Sequence, residues 1–156
     1  MPASSSRPRA RPPRPATRRS GSCRRSDPMT IQQHPAGEST TATPVAQGAY
    51  WRVGGFVFTN THHGTGPDGA LVAPDDCERQ LEQALANLGR TLRAAGSAPE
   101  RVVKIVYYVR DAAELPDHAR LAWFVDCWPE SSVVELRTLA PGVRVEIEAV
   151  ATLEAA

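Results

Sequence analysis

The sequence contains no apolar run approaching the roughly 18 residues that a transmembrane helix needs, which predicts no membrane span. No hydrophobic segment follows the paired arginines near the N-terminus, so a secretory signal is also disfavoured. Cysteine is scarce: the 3 cysteines, Cys23, Cys77 and Cys127, are widely spaced and odd in number. This spacing predicts neither a disulfide framework nor a zinc site, and it is typical of reduced cysteines in a cytoplasmic protein.

Large aliphatic side chains are missing from the start of the chain. Residues 1–28 hold 8 arginines and 1 acidic residue, a net charge of +7, while the remaining residues carry −6. Such a segment cannot bury enough apolar surface to offset the entropy of ordering. Residues 29–43 are also polar and have no periodic pattern, and order is expected to begin near Pro44. We therefore predict a disordered tail, 1–43, and one domain, 44–156.

The basic tail has three possible interpretations. Clustered arginines attract phosphate, which would suit an arm that binds nucleic acid or a membrane surface. A transit peptide is disfavoured, because the prolines would break the amphipathic helix that such signals form. The third interpretation is that the stretch lies upstream of the working protein and that Met29 is the true start. In none of these cases is the tail expected to carry catalysis.

A hairpin and a third strand are predicted next. Residues 49–61 contain two β-rich runs around Gly54 and Gly55, and glycine pairs between such runs are typical of tight hairpins. After a turn, residues 70–72 are predicted to form a short strand. The intervening glycines match G-x-G-x-x-G, but they open no helix and enclose Pro67, so we interpret them as a turn and not a dinucleotide site.

The clearest helix is predicted over residues 76–95. Its leucines recur at helical spacing, at Leu81, Leu85, Leu88 and Leu92. Asp75 is predicted to cap the first turn, with Glu78 three residues later, and Gly96 provides a left-handed stop.

Residues 102–110 are predicted to form a strand that is apolar on both faces. One face is expected to contain Val103, Ile105, Tyr107 and Val109. The other face contains Val102, Val106 and Tyr108. Because one helix layer covers only one face, the other is expected to meet a second subunit.

A second helix is predicted over residues 111–126, starting near Glu114 because Pro116 is tolerated only in a first turn. Two strands follow, over 132–137 and 143–153. The order β-β-(β)-α-β-α-β-β indicates an α+β fold with two helices on one face of a mixed sheet.

Two acidic residues in the last strand are candidates for acid-base chemistry. Glu146 and Glu148 are two residues apart, about 6.6 Å along a strand, and therefore share a face. If that face is buried, at least one carboxylate has a raised pKa; the alternative is a solvent face with Arg144 as a charged neighbour. His62 and His63 are not predicted to bind metal, because adjacent strand residues point to opposite faces.

From Pro44 to Leu153 the chain resembles the RidA/YjgF family of reactive-intermediate deaminases, which has also been labelled endoribonuclease L-PSP-like. The resemblance is carried by QALANLGRTLRAAGSAPERVVKIVYYVRDAAEL (83–115) and PESSVVELRTLAPGVRVEIEAVA (129–151). It implies a chorismate-mutase-like fold, a homotrimer with pockets between subunits, and cofactor-free hydrolysis of enamines or imines to ketoacids and ammonia.

The resemblance also assigns roles to residues. Glu148 matches the family glutamate that positions and activates water. Ser131, followed by Ser132, stands where the family has an arginine that grips the substrate carboxylate. Losing that contact should cost about 1.5–3 kcal/mol of binding.

Other pocket positions also differ. The family's Gly-Pro-Tyr-Ser-Gln corresponds to residues 48–52, which place Tyr50 and Arg52 on one strand face, and Arg52 is a candidate for a relocated cationic anchor. The alternative is a solvated strand arginine. The family's Ser-Gly-Gln corresponds to Asn60, Thr61 and His62, and its helix asparagine to Ala119 or a neighbour.

We therefore expect a hydrolase of an imine, an enamine or a related metabolite, with altered specificity, no cofactor and a small-molecule substrate. The alternative is a non-catalytic binding module on the same scaffold. Nucleic-acid binding is disfavoured, because the part of the chain after residue 28 has a net charge of −6.

Overall fold

A seven-stranded mixed sheet carries one long helix on one of its faces. The computed structural model describes residues 31–34, 48–117, 122–124 and 128–154. The strands are β1 (Ile31–His34), β2 (Tyr50–Val53), β3 (Phe56–Thr59), β4 (His62–His63), β5 (Val102–Val109), β6 (Glu130–Glu135) and β7 (Val145–Thr152). The helix is α1 (Cys77–Ala94), and short 3-10 turns span Pro99–Arg101 and Ala112–Glu114.

The strands lie in the order β1-β2-β3-β7-β5-β6, and β4 pairs with β7 beyond the end of β3. All neighbours are antiparallel except β5 and β6, which are parallel. The mixed α+β architecture predicted from the order of elements is confirmed. Among the described residues, no helix is both long and apolar enough to cross a membrane.

The predicted long helix is confirmed to within one residue at each end, but its cap is not the predicted one. The Asp76 side chain accepts a hydrogen bond from the Arg79 amide at 3.0 Å, whereas Asp75 has a left-handed φ of 71° in the preceding loop. Gly96 closes the helix with a φ of 76°, and the Ser97 amide donates to the Leu92 carbonyl at 2.8 Å. This pairing satisfies carbonyls that would otherwise be unpaired at the helix end.

The core lies between α1 and the sheet face that it covers, here called the helix face. All four leucines of the predicted stripe are buried against the inward residues of β5 and β7, which are Ile105, Tyr107, Val109, Val145, Ile147, Ala149 and Ala151. Burying one such leucine contributes about 1.5–3 kcal/mol. The predicted face of the last strand is thereby confirmed.

A bulge in β5 changes one predicted face. Val102 pairs with Ala151 and Lys104 pairs with Val150, so Val103 is an extra residue on its strand. Val103 is therefore 43% exposed, and Val102 takes the buried place. The prediction that Val103 shares a face with Ile105 is wrong, because the bulge shifts the alternation by one residue.

Near the start of the domain, the Gly54-Gly55 hairpin is confirmed, since Val53 pairs with Phe56 and Gly54 has a φ of 57°. Two other predictions are wrong. Residues 70–72 form only a single bridge, from Leu71 to Thr65, and β4 is the segment that pairs with β7 after β3. Residues 31–34 form an edge strand on β2, although the stretch 29–43 was predicted to lack structure. The division into a tail of 1–43 and a domain of 44–156 otherwise stays a prediction.

The predicted second helix, 111–126, lies largely outside the described residues. Its predicted start near Glu114 is wrong: Asp111 accepts a hydrogen bond from the Ala113 amide and caps a 3-10 turn, and helical backbone is described only from Asp117. Pro116 has no amide hydrogen with which to continue the turn into a helix. The strand predicted at 132–137 begins and ends two residues earlier.

Gln80 fastens the loop before β7 to the helix. This fully buried side chain donates to the carbonyls of Ala73 at 3.1 Å and Gly142 at 2.8 Å, and it accepts from the Arg144 amide at 2.8 Å. Satisfied buried amides of this kind hold backbone in one arrangement.

The opposite sheet face, here called the outer face, carries several large apolar side chains that are exposed. Five of its large side chains are at least 38% exposed: Ile31, Trp51, Phe56, Phe58 and Val134. Several large apolar side chains exposed on one face are typical of an interaction surface.

Candidate active site

β7 places Glu146 and Glu148 side by side on the outer face, at the centre of the sheet. Glu148 pairs with Val106 of β5, and its Oε1 accepts a hydrogen bond from the Tyr108 hydroxyl at 2.9 Å. Burial, followed by the hydrogen bond and charge of Glu148, raises the pKa of Tyr108, so the phenol keeps its proton and acts as the donor. One oxygen of Glu148 is thus held in place, and the carboxylate is oriented.

Glu146 lies in a different environment. It pairs with His63 of β4 on one side and with Tyr108 of β5 on the other. Burial raises the pKa of Glu146, because desolvation disfavours its charged form. The expectation that a carboxylate in this strand is desolvated is therefore supported for Glu146. Paired carboxylates in unlike environments are suited to separate acid and base roles.

The two neighbouring histidines point away from each other. His62 pairs with Ile147 and is fully buried on the helix face, whereas His63 pairs with Glu146 on the outer face. Burial lowers the pKa of both. In the described part of the chain, no three His, Cys, Asp or Glu side chains are placed to hold a metal ion.

Tyr50 and Arg52 share the helix face of β2, as the alternation predicted. The Tyr50 hydroxyl donates to the Ala94 carbonyl at 3.2 Å, and its ring stacks on His34 with centroids 4.6 Å apart. Arg52 pairs with Val57, a buried residue of the helix face, and its own side chain is only partly exposed.

Asn60 and Thr61 fill the gap between β3 and β4, where pairing with β7 is interrupted. The Asn60 amide donates to the Ala49 carbonyl at 3.0 Å, and the Asn60 residue is exposed. The hydroxyl of Thr59 bridges the gap by accepting from the Ala149 amide at 3.0 Å. At such an interruption, the backbone does not form the regular hydrogen bonds of the sheet.

Ser131 and Ser132 lie on the edge strand β6 and face opposite ways. Ser131 pairs with Ile105, so it belongs to the helix face, and it is exposed. Ser132 pairs with Val106 and shares the outer face with Glu148, two strands away. Position 131 therefore lies at an open edge of the sheet.

One protomer does not bring all the predicted site residues together. β3, β7 and β5 separate β2 from β6, a distance of about 19 Å at ordinary strand spacing. Tyr50, Arg52, Asn60 and Thr61 form one group, while Ser131 and Ser132 form another. Glu148 lies between the two groups.

The sequence did not reveal the role of Tyr108. Alternation placed Tyr108 on the outward side of its strand, but only the register between β5 and β7 sets it beside Glu148. That register is a pairing between strands distant in sequence, which the local sequence does not report.

His62 should make the folded chain sensitive to acid. Burial lowers its pKa from 6.5 to about 4, so between these values the unfolded chain binds a proton that the folded chain does not. Stability is full above pH 6.5 and should fall by about 3 kcal/mol as the pH drops to 4. Urea unfolding at several pH values measures this loss. His62→Gln should remove most of it, and an unchanged pH dependence in that variant would contradict the assignment.

Comparison with known proteins adds a family context. Residues 40–153 match the family model described as endoribonuclease L-PSP. The chain is 30% identical over 118 residues to the 2-iminobutanoate/2-iminopropanoate deaminase of Mus musculus, covering 72% of this chain and 87% of that one. It is 31% identical over 120 residues to a RutC family protein of Sinorhizobium fredii, covering 74% and 95%.

Solved structures agree with this similarity. A member of the YjgF/YER057c/UK114 family from Mycobacterium tuberculosis superposes with a TM-score of 0.64 at 28% identity, covering 80% of this chain and 100% of that one. The yeast protein YEO7 gives a TM-score of 0.68 at 25% identity with the same coverage.

Proposed function

The chain belongs to the endoribonuclease L-PSP family and has its chorismate-mutase-like fold, and from this membership we propose that it hydrolyses the C=N bond of a small imine or an enamine. The mouse relative that supports this proposal is named for deamination of 2-iminobutanoate and 2-iminopropanoate. The proposed reaction consumes water and releases a carbonyl compound and ammonia, and it draws on no cofactor.

The observation that carries the proposal is the carboxylate of Glu148, which is oriented on the outer face by the Tyr108 hydroxyl. In the proposed step, the free oxygen of Glu148 takes a proton from water as the water oxygen bonds to the imine carbon. The imine nitrogen takes up that proton to give a carbinolamine. A second proton on the nitrogen then lets the C–N bond break and ammonia leave, while the carbinolamine hydroxyl gives its proton back to Glu148 as the C=O bond forms. Glu146 is suited to supply the second proton, because burial raises its pKa.

We further propose that the working unit is a homotrimer with a site between protomers. Two observations support this: the outer face exposes five large apolar side chains, and the two groups of candidate binding residues lie near opposite edges of the sheet, on β2 and β6. An edge strand of one copy packed near β2 of the next would bring Ser131 and Tyr50 into one pocket.

We propose that small imino acids are not the preferred substrates. Ser131 stands where the resemblance places a carboxylate-binding arginine, and a hydroxyl offers no charged, two-pronged contact. We expect weak or no turnover of 2-aminoacrylate and 2-iminopropanoate. The preferred substrate is expected to be an imine or enamine without a carboxylate next to the reacting carbon.

Glu148→Gln tests the proposed base. It should lower turnover of an imine substrate by about 10²- to 10⁴-fold, since the amide keeps the shape but accepts no proton. Rates of ammonia release are measured for the wild type, Glu148→Gln, Glu146→Gln and the exposed control Glu100→Gln. The control should match the wild type. A larger loss in Glu146→Gln than in Glu148→Gln would reverse the assigned roles.

A binding module is the second candidate, favoured by the lack of a guanidinium at position 131. It would be supported if the wild type turned over no imine yet bound a ligand that Glu148→Gln also bound. RNA binding is the weakest candidate, because residues 29–156 carry a net charge of −6. The reduced-cysteine pattern favours the cytoplasm as the place of action.

A further inference from the structure

His63 places an imidazole on the outer face, directly opposite Glu146 in the pairing of β4 with β7. Directly opposite residues of antiparallel strands have Cβ atoms about 4.5–5.5 Å apart. The side chains of a histidine and a glutamate span that separation, and both residues are half-buried. The imidazole therefore lies within reach of the carboxyl that is proposed to protonate the leaving nitrogen.

The backbone around His63 is held by α1. Asn87 of the helix is only 5% exposed, and its side-chain amide donates to the carbonyls of His63 at 2.9 Å and Thr65 at 3.0 Å. The Thr65 amide donates to the same His63 carbonyl at 2.8 Å. Between these two residues, Gly64 lies so close to the helix that an added Cβ would be 2.6 Å from the Cα of Gln80. Satisfied, buried hydrogen bonds of this kind hold the segment in one arrangement.

The ring of His63 is oriented as well. Its Nδ1 and the Thr65 hydroxyl form a hydrogen bond. The bond made by one ring nitrogen determines what the other can do, so contact with Glu146 falls to Nε2.

Burial acts on the two groups in opposite directions. It raises the pKa of Glu146 and lowers the pKa of His63, because desolvation disfavours the charged form of each. Ordinary glutamate and histidine side chains differ by about 2 pKa units, so these shifts bring the two values closer together. A proton passes between groups of similar pKa with little change in free energy.

We propose that His63 is a positioning residue of the candidate active site, which shares one proton with Glu146 through Nε2. This role rests on the proposed hydrolysis, in which Glu146 protonates the leaving nitrogen. When the C–N bond breaks, the pair gives the shared proton to the nitrogen and is left as ionised Glu146 beside neutral His63. The proton that Glu148 receives from the carbinolamine hydroxyl then restores the pair, so each turnover conserves the protons of the site.

Other ionisable groups around the pair are engaged elsewhere. The Tyr108 hydroxyl donates to Glu148. The Arg110 guanidinium donates to two backbone carbonyls, and Arg144 forms ion pairs with two acidic side chains. Three more charged groups lie on α1 or toward the other end of β5 and β6, namely Arg90, Lys104 and Glu130. The shared proton is therefore assigned to Glu146 and His63 alone.

Carboxyl 13C NMR titration of the full chain tests the shared proton without a substrate. The Glu146 resonance is identified by its loss in Glu146→Gln. In His63→Phe, Glu146 should lose its proton about half to one pH unit lower than in the wild type, a shift of the size of one hydrogen bond. Because the imidazole stabilises the pair in its protonated form, removing it lets the proton leave at lower pH. Reciprocally, Glu146→Gln should lower the pH at which His63 loses its proton.

Three further variants sharpen the result. Thr65→Val removes the hydroxyl that orients the ring, and it should shift the Glu146 titration in the same direction but by less. His63→Gln keeps a hydrogen-bonding group, so its shift should also be smaller than that of His63→Phe. The matched control Thr138→Val, at an exposed position beyond β6, should titrate as the wild type does. An unchanged Glu146 titration in His63→Phe, or a shift to higher pH, would overturn the proposal; if His63→Phe does not fold, an unchanged titration in Thr65→Val does so.

Ammonia release from benzaldimine, generated in the assay, connects the pair to turnover. On the alkaline side, the rate should begin to fall at lower pH in His63→Phe than in the wild type. A loss of rate that is equal at every pH would show a purely structural role and refute the proposal. A shifted Glu146 titration in a chain that turns over no imine would support the pair and contradict the proposed hydrolysis, whereas turnover with an unshifted titration would do the reverse.

Discussion

Ser131→Arg should raise kcat/KM for 2-iminopropanoate by about ten- to a hundredfold. A guanidinium at this position would hold the substrate carboxylate through two parallel hydrogen bonds, a contact worth about 1.5–3 kcal/mol. Position 131 is exposed on the edge strand β6, so a long side chain fits without repacking the core. The measurement is the rate of ammonia release from 2-iminopropanoate generated in the assay.

The control adds the same charge elsewhere: Thr138→Arg, at an exposed position beyond β6, should leave the rate unchanged. Equal rates in Ser131→Arg and the wild type would show that the serine does not limit the reaction. Arg52→Ala in the wild-type background separates the two interpretations of Arg52. A loss of affinity for carboxylate ligands would identify Arg52 as the cationic anchor, and unchanged affinity would identify a solvated strand residue.

Phe58→Asp should dissociate the assembly and abolish imine turnover. Phe58 is 42% exposed at the middle of the outer face, where it pairs with Trp51 and Val150. A carboxylate there would have to be buried without a partner when copies associate, which costs several kcal/mol. Loss of association would also separate the two groups of binding residues, and so both mass and activity should fall together.

Sedimentation velocity provides the mass, and the same samples provide the rate. Ala86→Asp is the matched control, since it adds the same charge to an exposed position on α1 and should leave a three-protomer particle. A wild-type chain that sediments as a single protomer would refute the proposed assembly. Full activity in a dissociated Phe58→Asp variant would refute the divided site.

The sequence was most informative where local physics decides the structure. The leucine stripe and the Gly96 stop located α1 almost to the residue, because helical packing and the left-handed cap both follow from nearby residues. The alternation in β7 located the buried face for the same reason. The cap assignment to Asp75 was wrong, since two adjacent aspartates offer equal signals and only the loop path selects Asp76.

The features that were not predicted depend on pairing between strands that are distant in sequence, and local sequence patterns do not report such pairing. β1 has the largely polar sequence Ile-Gln-Gln-His, and its partner is the neighbouring strand β2. β4, and not the segment predicted as a strand at 70–72, pairs with β7 after the gap. The bulge at Val103 changes which β5 side chains meet β7.

The sequence predicted which residues belong to the candidate site but not which side chains contact them. Glu146 and Glu148 were identified from their shared face, and the structure distinguishes them by burial on one side and by the Tyr108 hydroxyl on the other.

Gln80 connects the helix α1 to the backbone before β7. One side chain in the first half of α1 grips the backbone at both Gly142 and Arg144, immediately before the central strand. The backbone two residues before Glu146 is therefore held directly by the helix. Gln80 thus links the first half of α1 to the strand that carries both candidate carboxylates.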